Sequence, residues 1–310
     1  MALGLRPRLG RPDLGRYAGR FGLPQAGGGV GVTFLGVASL LIDDGASAVL
    51  TDGFFTRPSL PRVALGRLAP DEALIQRTLG RAGIDRLDVV APVHTHYDHA
   101  MDSAVVAART GARLLGGTSA AQIGRGGGLP EDQIGVVVPG EPVRAGGFVL
   151  TWIESEHCPP DRYPGRITSP VVPPARTTAY QCGEAWSILV EHDSGRTALV
   201  QGSAGFRPGA LADRRADIVY LGVGQLGVQN PGYIERYWAE TVAAVGARQV
   251  VLIHWDDFFR PLDRPLRALP YLGDDLDATM AVLAPLADRQ GVGLHFPTVW
   301  RRENPWALLG

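Results

Sequence analysis

Histidine is scarce in this chain, seven in 310 residues, yet three of the seven fall within six consecutive positions, His94-Thr95-His96-Tyr97-Asp98-His99. Imidazole nitrogen and carboxylate oxygen are donors that zinc, manganese and iron accept. The apolar run 87–93 reads as a buried strand, and residues 99–109 as the helix that follows it. The four side chains therefore fan out from one tight loop at a sheet edge. On such a loop His94 and His96 can point to one ion while Asp98 and His99 turn towards a second. Two cations sharing a water lower its pKa from about 16 towards about 7, which makes hydroxide available for attack on a carbonyl carbon or a phosphorus atom.

The elements needed to hold this loop are legible around it. Strands are predicted over 31–36, 38–43 and 47–52, with Asp44-Gly45 as the first hairpin turn. Later strands fit 112–115, 134–138, 147–155, 185–191, 197–201, 217–221 and 249–253, and His295 falls in a last one. Helices fit 71–83, 231–245 and 276–290. Strands come first and then alternate with helices, which implies a layered α/β fold with mixed sheets and outer helices. Two long aperiodic stretches, 158–181 and 255–273, read as binding loops.

Composition narrows the rest. Apolar residues make up 45% and charged residues 20%, enough for a sizeable core. A net charge of −1 gives no overall bias towards nucleic acid or an anionic membrane. The two cysteines, Cys158 and Cys182, are too few for a disulfide scaffold and suggest the cytoplasm. No stretch is apolar enough for a membrane span, and arginines at 6, 8, 11, 16 and 20 break any secretory signal. Residues 1–29 read as a partly ordered arm and 30–310 as one catalytic domain.

The histidine segment, its place after a strand and the order of the later elements resemble the metallo-β-lactamase superfamily. The resemblance covers about residues 30–300 and implies an αββα sandwich, two mixed sheets with outer helices. It also implies a later histidine completing each metal site: His157, just past the strand at 147–155, and His254, ending the strand at 249–253. The ligand sets it implies are His94, His96 and His157 for one ion, and Asp98, His99 and His254 for the other. Two zinc ions are expected, with manganese or iron as alternatives. Asp98 and His254 would be catalytic, the first orienting the nucleophile or carrying a proton, the second steadying the leaving group. Asp52 matches an aspartate common in the family and would accept a hydrogen bond from a ligand histidine or a loop amide. Where many members carry a metal-bridging aspartate, this chain has Ser203, in Gln201-Gly202-Ser203-Ala204-Gly205. Cys158 is not among the expected ligands, and His192 and His295 are read as structural.

Phe55, Arg57, Tyr97, Tyr180 and Trp255 are expected to line a partly aromatic pocket for a small, anionic organic molecule. The segment 36–55 also resembles the branch of sugar-phosphate lactonases and phospholipase-D-like phosphodiesterases. The expected activity is hydrolysis of a lactone, amide or other carbonyl ester. The alternatives are a phosphodiesterase, a binding protein that lost catalysis with the bridging carboxylate, and a diiron redox protein. The expected partners are a small-molecule substrate and a second copy of the chain, with no nucleic acid and no membrane.

Overall fold

The computed structural model describes residues 8–309, and its strands stop where the chemistry begins. In chain order they are β1 (Gly31–Phe34), β2 (Leu40–Asp43), β3 (Ala48–Thr51), β4 (Val89–Ala91), β5 (Arg113–Gly116), β6 (Ile134–Val136) and β7 (Pro142–Ala145). There follow β8 (Phe148–Glu154), β9 (Trp186–His192), β10 (Thr197–Gln201), β11 (Ile218–Gly222), β12 (Gln249–Ile253), β13 (Gly293–His295) and β14 (Arg302–Glu303). They form two seven-stranded sheets, ordered β14-β1-β2-β3-β4-β5-β6 and β13-β12-β11-β10-β9-β8-β7. Each sheet has an antiparallel half joined to a parallel half, at β3–β4 in the first and at β10–β11 in the second. The helices are α1 (Leu60–Leu65), α2 (Glu72–Ala82), α3 (Tyr97–Ala100), α4 (Ser103–Thr110), α5 (Thr118–Gly126), α6 (Pro231–Trp238) and α7 (Leu276–Gln290).

Local chemistry sets these boundaries. Asp44 Oδ1 accepts the amides of Ala46 and Ser47 at 2.7 and 2.6 Å, closing the β2–β3 hairpin. Asp71 caps α2 by accepting from Leu74 N at 2.9 Å, and Gly83 ends that helix at φ 68°. Asp275 caps α7 through Ala278 N at 3.0 Å.

One core lies between the sheets, where Val32, Leu40 and Val49 face Trp152, Ile188, Val219 and Leu252. A second fills the outer face of the first sheet, with Leu50, Val90 and Leu114 under Ile75 and Leu79 of α2 and Val106 of α4. With α6 and α7 packed outside the second sheet through Trp238 and Leu283, the order of layers is helix, sheet, sheet, helix.

Several boundaries differ from the sequence reading. The helix expected over 99–109 is two, α3 and α4, because Asp102 interrupts it. Its buried carboxylate accepts Phe55 N, Thr56 N and Thr56 Oγ1 at 2.7, 2.6 and 2.7 Å, which ties the interruption to the chain after β3. The helix expected over 231–245 ends as α6 and continues as a wider π turn at Ala239–Ala243. Strands β7 and β14 and helices α1 and α5 have patterns too short or too small-residue-rich to announce themselves.

Of the arm read over 1–29, residues 1–7, Arg6 among them, lie outside the described residues, and residues 8–29 touch the rest of the domain at several points. Arg8 pairs with Asp275 and Asp277 at 3.3 and 3.0 Å, and Arg11 pairs with Asp257 at 3.3 Å. Tyr17 and Phe21 stack on Phe296, and Phe21 meets Trp255 edge-on. The acidic partners of these arginines lie far downstream in the chain. Among the described residues no helix is long and apolar enough to cross a membrane.

Candidate metal centre

Strands β3, β4, β8 and β12 end at the same edge of the two sheets, and four short segments carry the polar side chains from there. Asp52 follows β3 at φ 55°, a backbone angle that costs a non-glycine residue energy and turns its carboxylate under the next strand. Its Oδ1 accepts Val93 N at 2.9 Å and its Oδ2 accepts Nδ1–H of His99 at 2.7 Å. Asp52 is fully buried, so it fixes both the course of the 92–96 loop and the tautomer of His99.

His99 Nε2 is thereby left as an acceptor, and it lies 3.2 Å from Nε2 of His254. Asp98 Oδ2 is 3.7 Å from the first nitrogen and 3.5 Å from the second. The donor atoms of Asp98, His99 and His254 all lie within 4.8 Å of one another. His254 is itself set at φ 58° after β12, where its amide donates to Val37 O at 2.7 Å. Gly224 passes so close that a Cβ there would sit 2.7 Å from His254 Nδ1, which only glycine allows. Burial opposes charge on both partners of this group. The neighbouring imidazoles nevertheless hold Asp98 far below the usual carboxylate range, and Asp98, Asp256 and Asp52 hold His254 above the ordinary histidine value.

A second triad, His94, His96 and His157, meets within the same 4.8 Å limit. Both ring nitrogens of His94 are buried without any hydrogen-bond partner. Burial, reinforced by the histidines around it, pushes its pKa well below the ordinary value. His157 donates Nδ1–H to the carbonyl of Cys158 at 2.8 Å, which leaves Nε2 as an acceptor. Burial and His96 lower its pKa to about 4. Orphaned acceptors in a cluster of neutral imidazoles are costly without a cation. The residues therefore fit a pair of divalent ions, one per triad.

No family model matches the chain, and no curated protein matches it in sequence. Solved structures do match in three dimensions. A possible metal-dependent hydrolase of Veillonella parvula aligns over 89% of this chain and 99% of its own, at 14% identity and TM-score 0.54. A presumptive metal-dependent hydrolase of Parabacteroides distasonis aligns over 87% and 93%, at 11% identity and TM-score 0.53. The diiron β-hydroxylase CmlA of Streptomyces venezuelae aligns over 89% of this chain but only 54% of its own, at 13% identity and TM-score 0.54. The chain has the metallo-β-lactamase fold.

Within that fold, Ser203 sits at the β10 end with its hydroxyl engaged by the His157 segment. Ser203 Oγ accepts Cys158 N at 3.0 Å, and its carbonyl accepts the hydroxyl of Tyr237 at 3.1 Å. It serves as a brace for the His157 segment. The Cys158 thiol faces Gln225 O and Gln229 Nε2, each at 3.7 Å, and burial raises its pKa to about 12. His192 bonds Asp44 Oδ2 at 3.0 Å and His295 bonds Gln249 Oε1 at 2.8 Å, both away from the centre.

The expected substrate pocket is where sequence and structure part. Phe55 is 1% exposed in the helix-side core, and Trp255 is 4% exposed against Phe34 and Phe296. Arg57 is buried and ion-paired with Asp256 through Nη2, while its Nε and Nη1 are buried without a hydrogen-bond partner. Tyr97 packs edge-on against Phe54. Tyr180 lines a recess of about 320 Å³ with Met101, Ile123 and Val171, which includes none of the metal-binding candidates. Large aromatic side chains are on average more buried than exposed. The groups that border the triads at the surface are Phe258, edge-on to His254 with ring centres 5.6 Å apart, and Asp161 and Tyr163 of the proline-rich loop. Asp161 carries no sequence signal, since a carboxylate in an aperiodic loop has no spacing to read.

Proposed function

We propose that the chain is a metal-dependent hydrolase that cleaves a lactone, amide or other carbonyl ester of a small organic substrate. The observation that supports this best is the meeting of two ligand triads, with His99 Nε2 and His254 Nε2 3.2 Å apart and both nitrogens of His94 unpartnered. Five imidazoles and one carboxylate form a donor set suited to zinc, and two ions are the proposed complement. Bound there, such ions supply hydroxide near neutral pH and polarise a carbonyl oxygen. The protein's share is positional. His94, His96 and His157 hold the first ion, while Asp98, His99 and His254 hold the second. Asp98, kept ionised by its neighbours, also presents a carboxylate that can orient the attacking group or take up its proton. His254 stands where a departing oxygen or nitrogen would be steadied. The similarity to the possible metal-dependent hydrolase of Veillonella parvula agrees with this reading.

A diiron redox function is the second reading, favoured by the likeness to CmlA. Elemental analysis of the purified full chain separates the two. About two equivalents of zinc, with turnover of a panel of lactones and esters, is the expected result. Two equivalents of iron without ester or lactone turnover would transfer the proposal to oxidative chemistry. Absence of any metal, even after reconstitution, would remove both readings.

A further inference from the structure

Residues 158–181 lead from His157 towards β9, and the C-terminal end of this loop is fastened to the histidine motif. Thr95, between His94 and His96, donates its amide to Cys182 O at 2.8 Å and its hydroxyl to Gln181 O at 2.6 Å. The two limbs of the loop are zipped to each other by Cys182 N to Tyr163 O and Gly183 N to Gly165 O, both at 2.8 Å. Gly183, at φ 68°, lies so close to the motif that a Cβ would meet Thr95 Oγ1 at 2.5 Å.

At the tip of this arrangement Asp161 reaches the motif from above. Its Oδ1 accepts Tyr163 N at 3.1 Å and lies 3.2 Å from Nε2 of His96. That nitrogen is buried and has no aligned hydrogen-bond partner, and His96 as a whole is 7% exposed. The donor atoms of His96, Asp161 and Cys182 fall within 4.8 Å of one another. A histidine whose one nitrogen faces a carboxylate presents the other to a metal, with its tautomer and ring plane fixed. His99 already has such a carboxylate in Asp52, and His157 has the Cys158 carbonyl; His96 has only Asp161.

We propose that Asp161 is the positioning carboxylate of the first metal site: it takes Nε2 of His96, turns Nδ1 to the ion, and so couples first-site affinity to closure of the proline-rich loop. This rests on the metal-centre reading above. Because Tyr163 N and His96 share one oxygen of Asp161, the loop cannot lift without releasing the ring. The first ion is then held tightly when the loop is down and loosely when it is up.

The test is cobalt(II) titration of the metal-free full chain, wild type against Asp161→Ala and Asp161→Asn, with limited trypsin digestion in parallel. Arg162 and Arg166, both exposed on the loop, are the cleavage sites to follow. Asp161→Ala should weaken the first equivalent about 10- to 100-fold and leave the second unchanged, with the visible spectrum of the loaded protein unaltered. Asparagine keeps an acceptor oxygen and should recover much of the loss. Cobalt should protect Arg162 and Arg166 from trypsin in the wild type and lose that effect in Asp161→Ala. Unchanged first-site affinity in the alanine variant, with His94→Ala abolishing it, would overturn the proposal and leave the metal centre standing. A shifted visible spectrum would overturn it differently, by making Asp161 itself a ligand. A wild-type chain that takes up no cobalt would overturn the metal-centre reading and this proposal together.

Discussion

The two triads stand side by side but are prepared for a cation in opposite ways. Asp98, His99 and His254 are surrounded by carboxylates, and the field of those carboxylates lifts the affinity of His254 for protons. His94 and His157 are surrounded by other imidazoles and by apolar packing, and both are held neutral. One triad therefore carries an ionised carboxylate in Asp98, while in the other His94 and His157 offer uncharged lone pairs. A ligand list does not reveal this contrast, because histidine dominates both triads.

The largest effect expected comes from emptying one triad at a time. His94→Ala should lose the first ion and about a thousandfold or more in kcat/KM on whichever ester is turned over, while His254→Ala should lose the second ion. Metal counting by elemental analysis distinguishes them, and loss of both ions from either variant would mean that the triads act as one unit. Next in size is Asp52→Asn. Asparagine can keep the bond from Val93 N but presents N–H to His99 Nδ1, so the second ion should weaken about 10- to 100-fold while the melting temperature stays close to wild type. An equal loss at both sites would contradict the separation between the triads.

Acidity separates the triads more finely. His157, with a pKa of about 4, and His94, still further from its ordinary value, carry no proton between pH 5 and 8. Those two side chains should therefore add no pH dependence to first-site affinity over that window. His254 is raised above the ordinary value of about 6.5, so binding at the second site must displace a proton. Second-site affinity should climb with pH up to and past neutrality. Calorimetry in buffers of different ionisation enthalpy should count more protons released at the second site than at the first.

Glu303 shows what burial does to an acid with no histidine beside it. Its pKa is raised to about 7, and its carboxylate accepts Thr298 N at 3.3 and 3.2 Å. A raised acid stabilises the fold below its unfolded value near 4.5 and loses that contribution as pH rises through about 7. Glu303→Gln should therefore gain on wild type by about 1–3 kcal/mol between pH 5 and 8, read from chemical denaturation. Smallest of all is His192→Ala, which removes a partly exposed contact to Asp44 and should change stability by about 1 kcal/mol or less, with metal content intact.

The legible part of the molecule is the part where rare residues meet regular geometry. His94, His96, Asp98 and His99 are conspicuous because histidine is scarce and the strand before them is plainly apolar. His157 and His254 are found by asking which strands end nearby, and Asp52 by the same question. Phe55, Arg57 and Trp255 mislead because the sequence shows that a side chain is large or charged and gives no sign of which side of the strand end it takes. Arg57 in particular is balanced by Asp256, 199 positions away. Asp161 is invisible for the converse reason: its partner His96 is obvious, but nothing in the spacing of a proline-rich loop says where its tip comes to rest.

The strap formed by residues 8–29 has a consequence for how the protein is made. Arg11 donates to the carbonyl of Ala268 at 2.8 Å and pairs with Asp257, three positions past His254. Gln25 bridges to Glu303, and Arg302 pairs with Asp43 at 2.9 Å. The earliest described segment is thus the buttress of the latest ligand, and neither can settle until the ribosome has delivered both. Such long-range closure is slow to form. A nascent chain therefore displays Asp98 and His99 through much of its second half before His254, the last member of their triad, is made. Completion of the second triad is thereby coupled to the docking of residues 8–29 beside His254.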